Sequence, residues 1–312
     1  MNKEKSRWEK DTTENIEFSK LNFMKRFMIY QTTRFPLKSY GLLIFIVVFS
    51  GLSYTSAIYN EKISILNFIY TAIIVFLLFL QIRICDEFKD YEEDKLYRPY
   101  RPVIKGVVTL KELKRVGLYA LVIQFALSLL ISKNTVIILV ITLFYLLLMR
   151  YEFFIGEKLS KRPIMYMLSH IVVMSLIALL ISSAVKNIEI IKNFKLDILY
   201  FMLIAYLNGV VLEIGRKIRN NKEEEEGVLT YSKLFGKKKS ISLLITPIII
   251  QILLSFYYIN TLTVILLITY IYITYEIIRF LKNNLSGKII EKCSSLWMVV
   301  LYLTISIIYF IN

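Results

Sequence analysis

Cysteine is nearly absent from this 312-residue chain: only Cys85 and Cys293 occur, in no C-x-x-C pair, which excludes a disulfide framework and a cysteine-based zinc site. Histidine occurs once, as His170, about a third of the way along an apolar run, where a hydrogen bond inside a helix bundle suits it better than a role as catalytic base. Proline (5) and glycine (10) are scarce, while 56% of residues are hydrophobic. The mean hydropathy of +0.58 exceeds what a soluble domain needs to fill one core, so a bilayer is the expected solvent. No basic, then apolar, then small-residue leader opens the chain, because charges are mixed through its first 36 residues; no cleaved signal is expected. The formal net charge of +15 would suit nucleic acid, but its distribution argues against that partner.

Apolar runs long enough to cross a hydrocarbon core lie near 40–59, 63–82, 116–132, 134–151, 164–184, 196–214, 240–259, 261–279 and 295–311, which predicts nine transmembrane helices. With the amino terminus in the cytoplasm, the segments 1–39, 83–115, 150–162, 216–239 and 279–292 are cytoplasmic and hold 34 of the 39 Lys and Arg. The other side keeps only Lys62, Lys133, Lys186, Lys192 and Lys195, so positive charge sets one orientation. The two longest connections, 83–115 and 216–239, fall on the cytoplasmic face, and chemistry is expected there. The division is a cytoplasmic segment 1–39 followed by a single transmembrane domain, 40–312. Within 14–36, Phe18, Leu21, Met24, Phe27 and Met28 recur at helical spacing among Lys20, Lys25 and Arg26. This is either an amphipathic helix at the membrane interface or a helix packed on the cytoplasmic loops.

After the second span the chain runs Cys85-Asp86-Glu87-Phe88-Lys89-Asp90-Tyr91-Glu92-Glu93-Asp94. On one continuous helix, at about 100° per residue, Asp86, Glu87, Asp90, Glu93 and Asp94 share an arc of roughly 120° with Lys89 turned away. Crowded carboxylates raise each other's pKa unless a cation joins them, and oxygen donors beside a phosphate suit Mg²⁺. The alternative is a solvated acidic helix end. Arg98, Arg101 and Lys105 follow closely, and guanidinium forks match diphosphate oxygens, so metal-binding and anion-binding groups adjoin.

These residues resemble the UbiA-type intramembrane prenyltransferases, which carry N/D-D-x-x-D-x-x-x-D at the end of their second helix and then an R-P-containing loop ending in Gly. Here the pattern reads Asp86-Glu87-x-x-Asp90-x-x-x-Asp94, with Glu87 in place of the usual Asp, followed by Arg101-Pro102-Val103-Ile104-Lys105-Gly106. The resemblance implies an all-α integral membrane protein with about nine helices around a central cavity. It implies that Asp86, Glu87, Asp90 and Asp94 hold Mg²⁺ on a prenyl diphosphate whose tail lies between helices. It also makes Tyr151 and Lys158, after the fourth span, diphosphate partners, with border anchoring as the competing role.

After the sixth span come Asn208, Glu213, Arg216, Lys217, Arg219, then Glu223-Glu224-Glu225-Glu226-Gly227 and Thr230-Tyr231-Ser232-x-x-x-Gly236. The family has D-x-x-x-D before a Gly and a Thr or Ser. Counting back from Gly227, Glu223 fits one Asp position and Arg219 occupies the other. Either the Glu run supplies a second metal set, or Glu213 at the helix end does so while Arg216 and Lys217 clamp the diphosphate.

The expected activity is Mg²⁺-dependent transfer of a prenyl group from a prenyl diphosphate to an aromatic or lipid acceptor in the bilayer. Asp86, Asp90, Asp94 and Glu213 are the expected catalytic carboxylates. The expected setting is a bacterial-type plasma membrane, with the amino terminus and active-site loops cytoplasmic. Two readings compete: a terpene cyclase on the same scaffold, suggested by the irregular second motif, and a transporter without chemistry. Transporters place charge near the midplane of broken helices, whereas here the acids cluster at helix ends.

Overall fold

The structure, a computed structural model, describes residues 18–225, 227–259, 262–283 and 285–311. Residues 14–17 of the amphipathic segment and Glu226 of the Glu run lie outside them. Among the described residues there is no strand. The helices are α1 (Phe23–Arg34), α2 (Leu37–Tyr59), α3 (Ile65–Lys89), α4 (Tyr91–Tyr97), α5 (Leu110–Ile131), α6 (Lys133–Arg150) and α7 (Gly156–Ser160). They continue as α8 (Pro163–Ser182), α9 (Leu196–Arg216), α10 (Tyr231–Phe235), α11 (Lys237–Ile259), α12 (Thr263–Asn283) and α13 (Lys288–Ile311). Nine of these, α2, α3, α5, α6, α8, α9, α11, α12 and α13, are long and apolar enough to cross a membrane.

The described helices match the nine predicted runs, but several reach well past the apolar stretch. A helix leaving the bilayer keeps its backbone hydrogen bonds, so α3 continues to Lys89 and α5 starts at Leu110. The connection 83–115 is therefore largely helical. It is not one helix, however, and the single continuous arc of carboxylates is corrected. The backbone departs from the helix at Asp90 (φ −86°, ψ 3°), between α3 and α4.

Contacts within the chain form two compact units. One holds Ile73–Ala126 and the described residues up to Ile44. Its core gathers Tyr30, Phe35, Leu80, Ile84, Val103, Val108 and Leu113. Helix α1 starts at Asn22, whose side chain accepts from Lys25 N at 3.0 Å, a standard N-cap. It then lies on the connection 83–115 of its own unit. Arg26 donates to Val107 O at 3.1 Å and forks onto both oxygens of Glu112, at 2.5 and 3.1 Å. Helix α1 thus packs on this connection through Arg26 and leaves Met24 and Met28 exposed along one edge, so both readings of the segment stand.

The other unit holds Phe45–Ala72 and the described residues from Leu127 onward. Its central helix is α9, which packs against α8, α11 and α13. Phe201, Ile204, Val211 and Ile214 on α9 are fully covered. Close approach needs small residues: a Cβ at Gly51 would strike Ile181 and Phe201, and one at Gly209 would strike Ile171. Buried polar groups on α9, α11 and α13 are joined in a chain. Trp297 Nε1 donates to Gln251 Oε1 at 2.6 Å, and Gln251 Nε2 donates to Asn208 Oδ1 at 3.0 Å. Such pairing keeps polar atoms tolerable in an apolar interior.

Candidate active site

In the first unit the acidic motif keeps its spacing across the break. Asp90 N donates to Asp86 O and Asp94 N to Asp90 O, both at 2.8 Å, so Asp86, Asp90 and Asp94 remain one turn apart. The following turn brings arginines back to them. Pro102, with no N–H to place, accepts from Val107 N at 2.9 Å, and Gly106 takes the left-handed φ of +73° that closes the turn. Val103 and Val108 anchor this turn in the core.

The result is a set of paired charges. Asp94, only 2% exposed, receives Arg98 Nη1 on one oxygen at 2.9 Å and Arg101 Nη1 on the other. Arg98 Nη2 also reaches Glu93, at 3.2 Å. Glu87, 1% exposed, receives Arg34 Nε at 2.6 Å from the end of α1. Asp86 lies 3.4 Å from Arg83. Lys105 sits exposed on the turn.

Neither sign of charge is fully balanced. Burial, then the Asp86 charge, push the Asp90 carboxyl up to about 6. Burial, then the Arg34 charge, hold the Arg101 guanidinium below its ordinary value. Tyr30 Oη, Arg34 Nη2 and Arg83 Nε are buried without a hydrogen-bond partner. Like charges are thus crowded on both sides of the cluster, and an added cation beside Asp90 together with an added anion beside Arg34 and Arg101 would relieve both. Among the described residues no three acid, His or Cys side chains stand close enough to form a ready metal cluster, since the carboxylates are turned to cations. The donor set is all oxygen and suits Mg²⁺.

In the second unit Glu213 binds Arg216 and, at 2.9 Å, Lys217. Tyr231 closes over this group: its N–H donates to Lys217 O at 3.0 Å, and Lys217 Nζ lies 5.7 Å from its ring centroid. Burial and then the Glu213 charge push the Tyr231 phenol up. Glu223 is engaged elsewhere. It accepts from Ser286 Oγ, from Gly287 N at 2.8 Å and from Asn220 N at 3.1 Å, tying the turn after α9 to the turn before α13. Burial pushes its carboxyl up, but these donors outweigh burial and hold it below the ordinary range. Glu224 accepts from Thr230 Oγ1 at 2.6 Å and Ser232 Oγ at 2.9 Å.

Tyr151 is exposed and stacks on Phe154, and Lys158 is exposed on α7. Between them, Glu152, Phe153 and Phe154 all have positive φ, a left-handed turn that separates the two residues. His170 donates from Nδ1 to Tyr166 O at 2.8 Å and stacks on the Tyr166 ring, the structural bond expected of it.

Sequence reasoning missed Arg34, Tyr30 and Tyr231. Arg34 entered only the tally of cytoplasmic charge. Its partner Glu87 lies 53 residues away, a pairing that no local spacing shows.

The model of the UbiA prenyltransferase family matches residues 39–308. No curated relative matches the chain in sequence. Among solved structures, the chain is similar to a UbiA homologue from Aeropyrum pernix K1, with 13% identity, a TM-score of 0.61, and 86% of this chain and 96% of that chain covered. It is similar to a digeranylgeranylglyceryl phosphate synthase, with 20% identity, a TM-score of 0.58, and 87% and 99% covered. A UbiA homologue from Archaeoglobus fulgidus bound to DMAPP and Mg²⁺ gives 10% identity, a TM-score of 0.55, and 87% and 98% covered. At these identities the likeness in structure establishes the fold, and the family match spans most of the chain. The chain is an all-helical, multi-pass integral membrane protein and belongs to the UbiA prenyltransferase family.

Proposed function

We propose that the protein transfers a prenyl group from a prenyl diphosphate to an aromatic or lipid acceptor within the membrane, releasing diphosphate, with Mg²⁺ as cofactor. Family membership and the Archaeoglobus fulgidus homologue bound to DMAPP and Mg²⁺ support this reading. The observation that carries it is the double crowding in the first unit, where Asp90 stands against Asp86 and Arg101 against Arg34 beside the ion pairs of Glu87 and Asp94.

Asp86, Glu87, Asp90 and Asp94 are the carboxylates that would hold the metal, and Glu213 is the matching one in the second unit. Mg²⁺, when bound, supplies positive charge against the negative charge that develops on a leaving diphosphate. Arg98 and Arg101 bind diphosphate oxygens through forked N–H donors and add positive charge where the bond breaks. Lys105, exposed on the same turn, contributes a less directional charge. Arg216 and Lys217 do the same beside Glu213. Tyr151 and Lys158, exposed on either side of the left-handed turn, serve as further diphosphate partners. We assign Glu223 and Glu224 to holding their turn instead of the metal, because their oxygens are already occupied by protein donors. The acids lie at helix ends, not at a midplane, which favours chemistry over transport.

The test uses purified protein with Mg²⁺ and labelled farnesyl or geranylgeranyl diphosphate, with and without a membrane extract supplying acceptor. Metal-dependent diphosphate release and a prenylated acceptor are expected. Asp90→Asn or Asp94→Asn should lower the rate by about 10²-fold or more. A variant that consumed prenyl diphosphate at the native rate would overturn the assignment. A cyclised hydrocarbon formed without acceptor would replace transfer by cyclisation.

A further inference from the structure

Two carboxylates of the first motif are not available as they stand. Glu87 and Asp94 are almost wholly covered, and each is held by guanidinium: Glu87 by Arg34, and Asp94 by Arg98 and Arg101 on separate oxygens. A divalent cation approaching Asp94 would meet two positive charges at contact distance, and it could not join the carboxylate without displacing at least one. Arginine forks pair well with phosphate oxygens, and a diphosphate offers several of them.

We propose that Arg34, Arg98 and Arg101 form a latch that keeps Glu87 and Asp94 from binding metal until a diphosphate draws the guanidiniums away, so that metal and diphosphate bind as partners. This inference rests on the proposed function and concerns how the same site is controlled. Side chains are in place for the exchange. Arg34 Nη2 and Arg83 Nε are buried donors with no partner, so the guanidiniums have N–H groups ready for an anion before any ion pair breaks. Tyr30 is 0% exposed, its Oη also lacks a partner, and it lies within the field of Glu87, Arg83 and Arg34. Metal binding at Asp94 without diphosphate would take from Arg101 the carboxylate it pairs with, whereas Arg98 keeps Glu93.

Linkage makes the effect reciprocal: whatever factor diphosphate adds to metal affinity, metal adds to diphosphate affinity, and such couplings commonly run from roughly 5- to 150-fold. The experiment measures Mn²⁺ binding, as a spectroscopic stand-in for Mg²⁺, to the full chain in detergent or nanodiscs, at buffered free Mn²⁺, with and without inorganic pyrophosphate. In the unaltered protein, pyrophosphate should tighten Mn²⁺ binding by about tenfold or more. Arg34→Gln and Arg101→Gln should bind Mn²⁺ more tightly than the unaltered protein in the absence of pyrophosphate, and should gain less when it is added. A pyrophosphate gain as large in Arg34→Gln and Arg101→Gln as in the unaltered protein overturns the latch, and Arg34→Lys and Arg101→Lys replace a Gln variant that does not fold. Equal Mn²⁺ affinity with and without pyrophosphate overturns the latch and leaves the transferase reading standing. Failure of Mn²⁺ to bind under either condition overturns both.

Discussion

Asp90 stands where the helix breaks, half-buried between Asp86 and Asp94, and its carboxyl is pushed up to about 6 by burial and then by the Asp86 charge. A proton and a metal ion compete for the same oxygens there. Below about pH 6 the proton has the advantage, so Mn²⁺ affinity in the presence of pyrophosphate should fall as pH drops through that value. An Asp90→Asn protein should bind more weakly and lose less affinity than the unaltered protein as pH falls through that range, the remaining loss being pyrophosphate's own protonation, which a pH series of the binding measurement checks. At Trp297 the issue is stability. Its indole N–H donates to Gln251 Oε1 at 2.6 Å in a buried setting. Trp297→Phe leaves that acceptor unpaired, and a loss of about 1–3 kcal/mol in unfolding experiments in detergent is expected. Glu223 and Glu224 look interchangeable with metal ligands in a run of acids, yet hydroxyls and N–H groups from Ser286, Gly287, Thr230 and Ser232 occupy them.

Among the helices, the apolar runs predicted position well and length less well. The run at 63–82 marks only the bilayer-crossing part of α3, which extends to Lys89 because a helix need not stop where apolar residues do. Periodicity alone cannot show the break at Asp90, since Asp86, Asp90 and Asp94 keep their four-residue spacing across it. Helix α1 was ambiguous between lipid and protein surroundings. Arg26 on Glu112 and Arg34 on Glu87 give it protein contacts on one side, through pairs 86 and 53 residues apart in sequence, while Met24 and Met28 stay exposed. In the second unit, Gly51 is where a side chain would collide with Ile181 and Phe201. Gly51→Val should destabilise the protein by about 1–3 kcal/mol, seen as a lower thermal midpoint in detergent, because a packed helix pair cannot absorb the added methyls without backbone movement.

For the whole molecule, the placement of 34 of the 39 Lys and Arg in one set of connections gives an expected orientation with the amino terminus inside. In a background lacking Cys85 and Cys293, a cysteine placed at Lys222 should react with a membrane-impermeant thiol reagent only after permeabilisation, and one at Lys192 should react in intact cells. The reverse pattern would put the acidic motifs outside and remove them from the cell's prenyl diphosphates. The nine spans, the charge asymmetry and the D-x-x-x-D-x-x-x-D spacing were legible in the sequence because each depends on neighbours a few residues apart: apolar length against bilayer thickness, and helical turn against residue count. Which acid meets which base was not. Arg34 with Glu87, and Ser286 with Glu223, are encounters made by chain segments folding back over many tens of residues, and electrostatic pairing depends on distance in space, which only the packed structure sets.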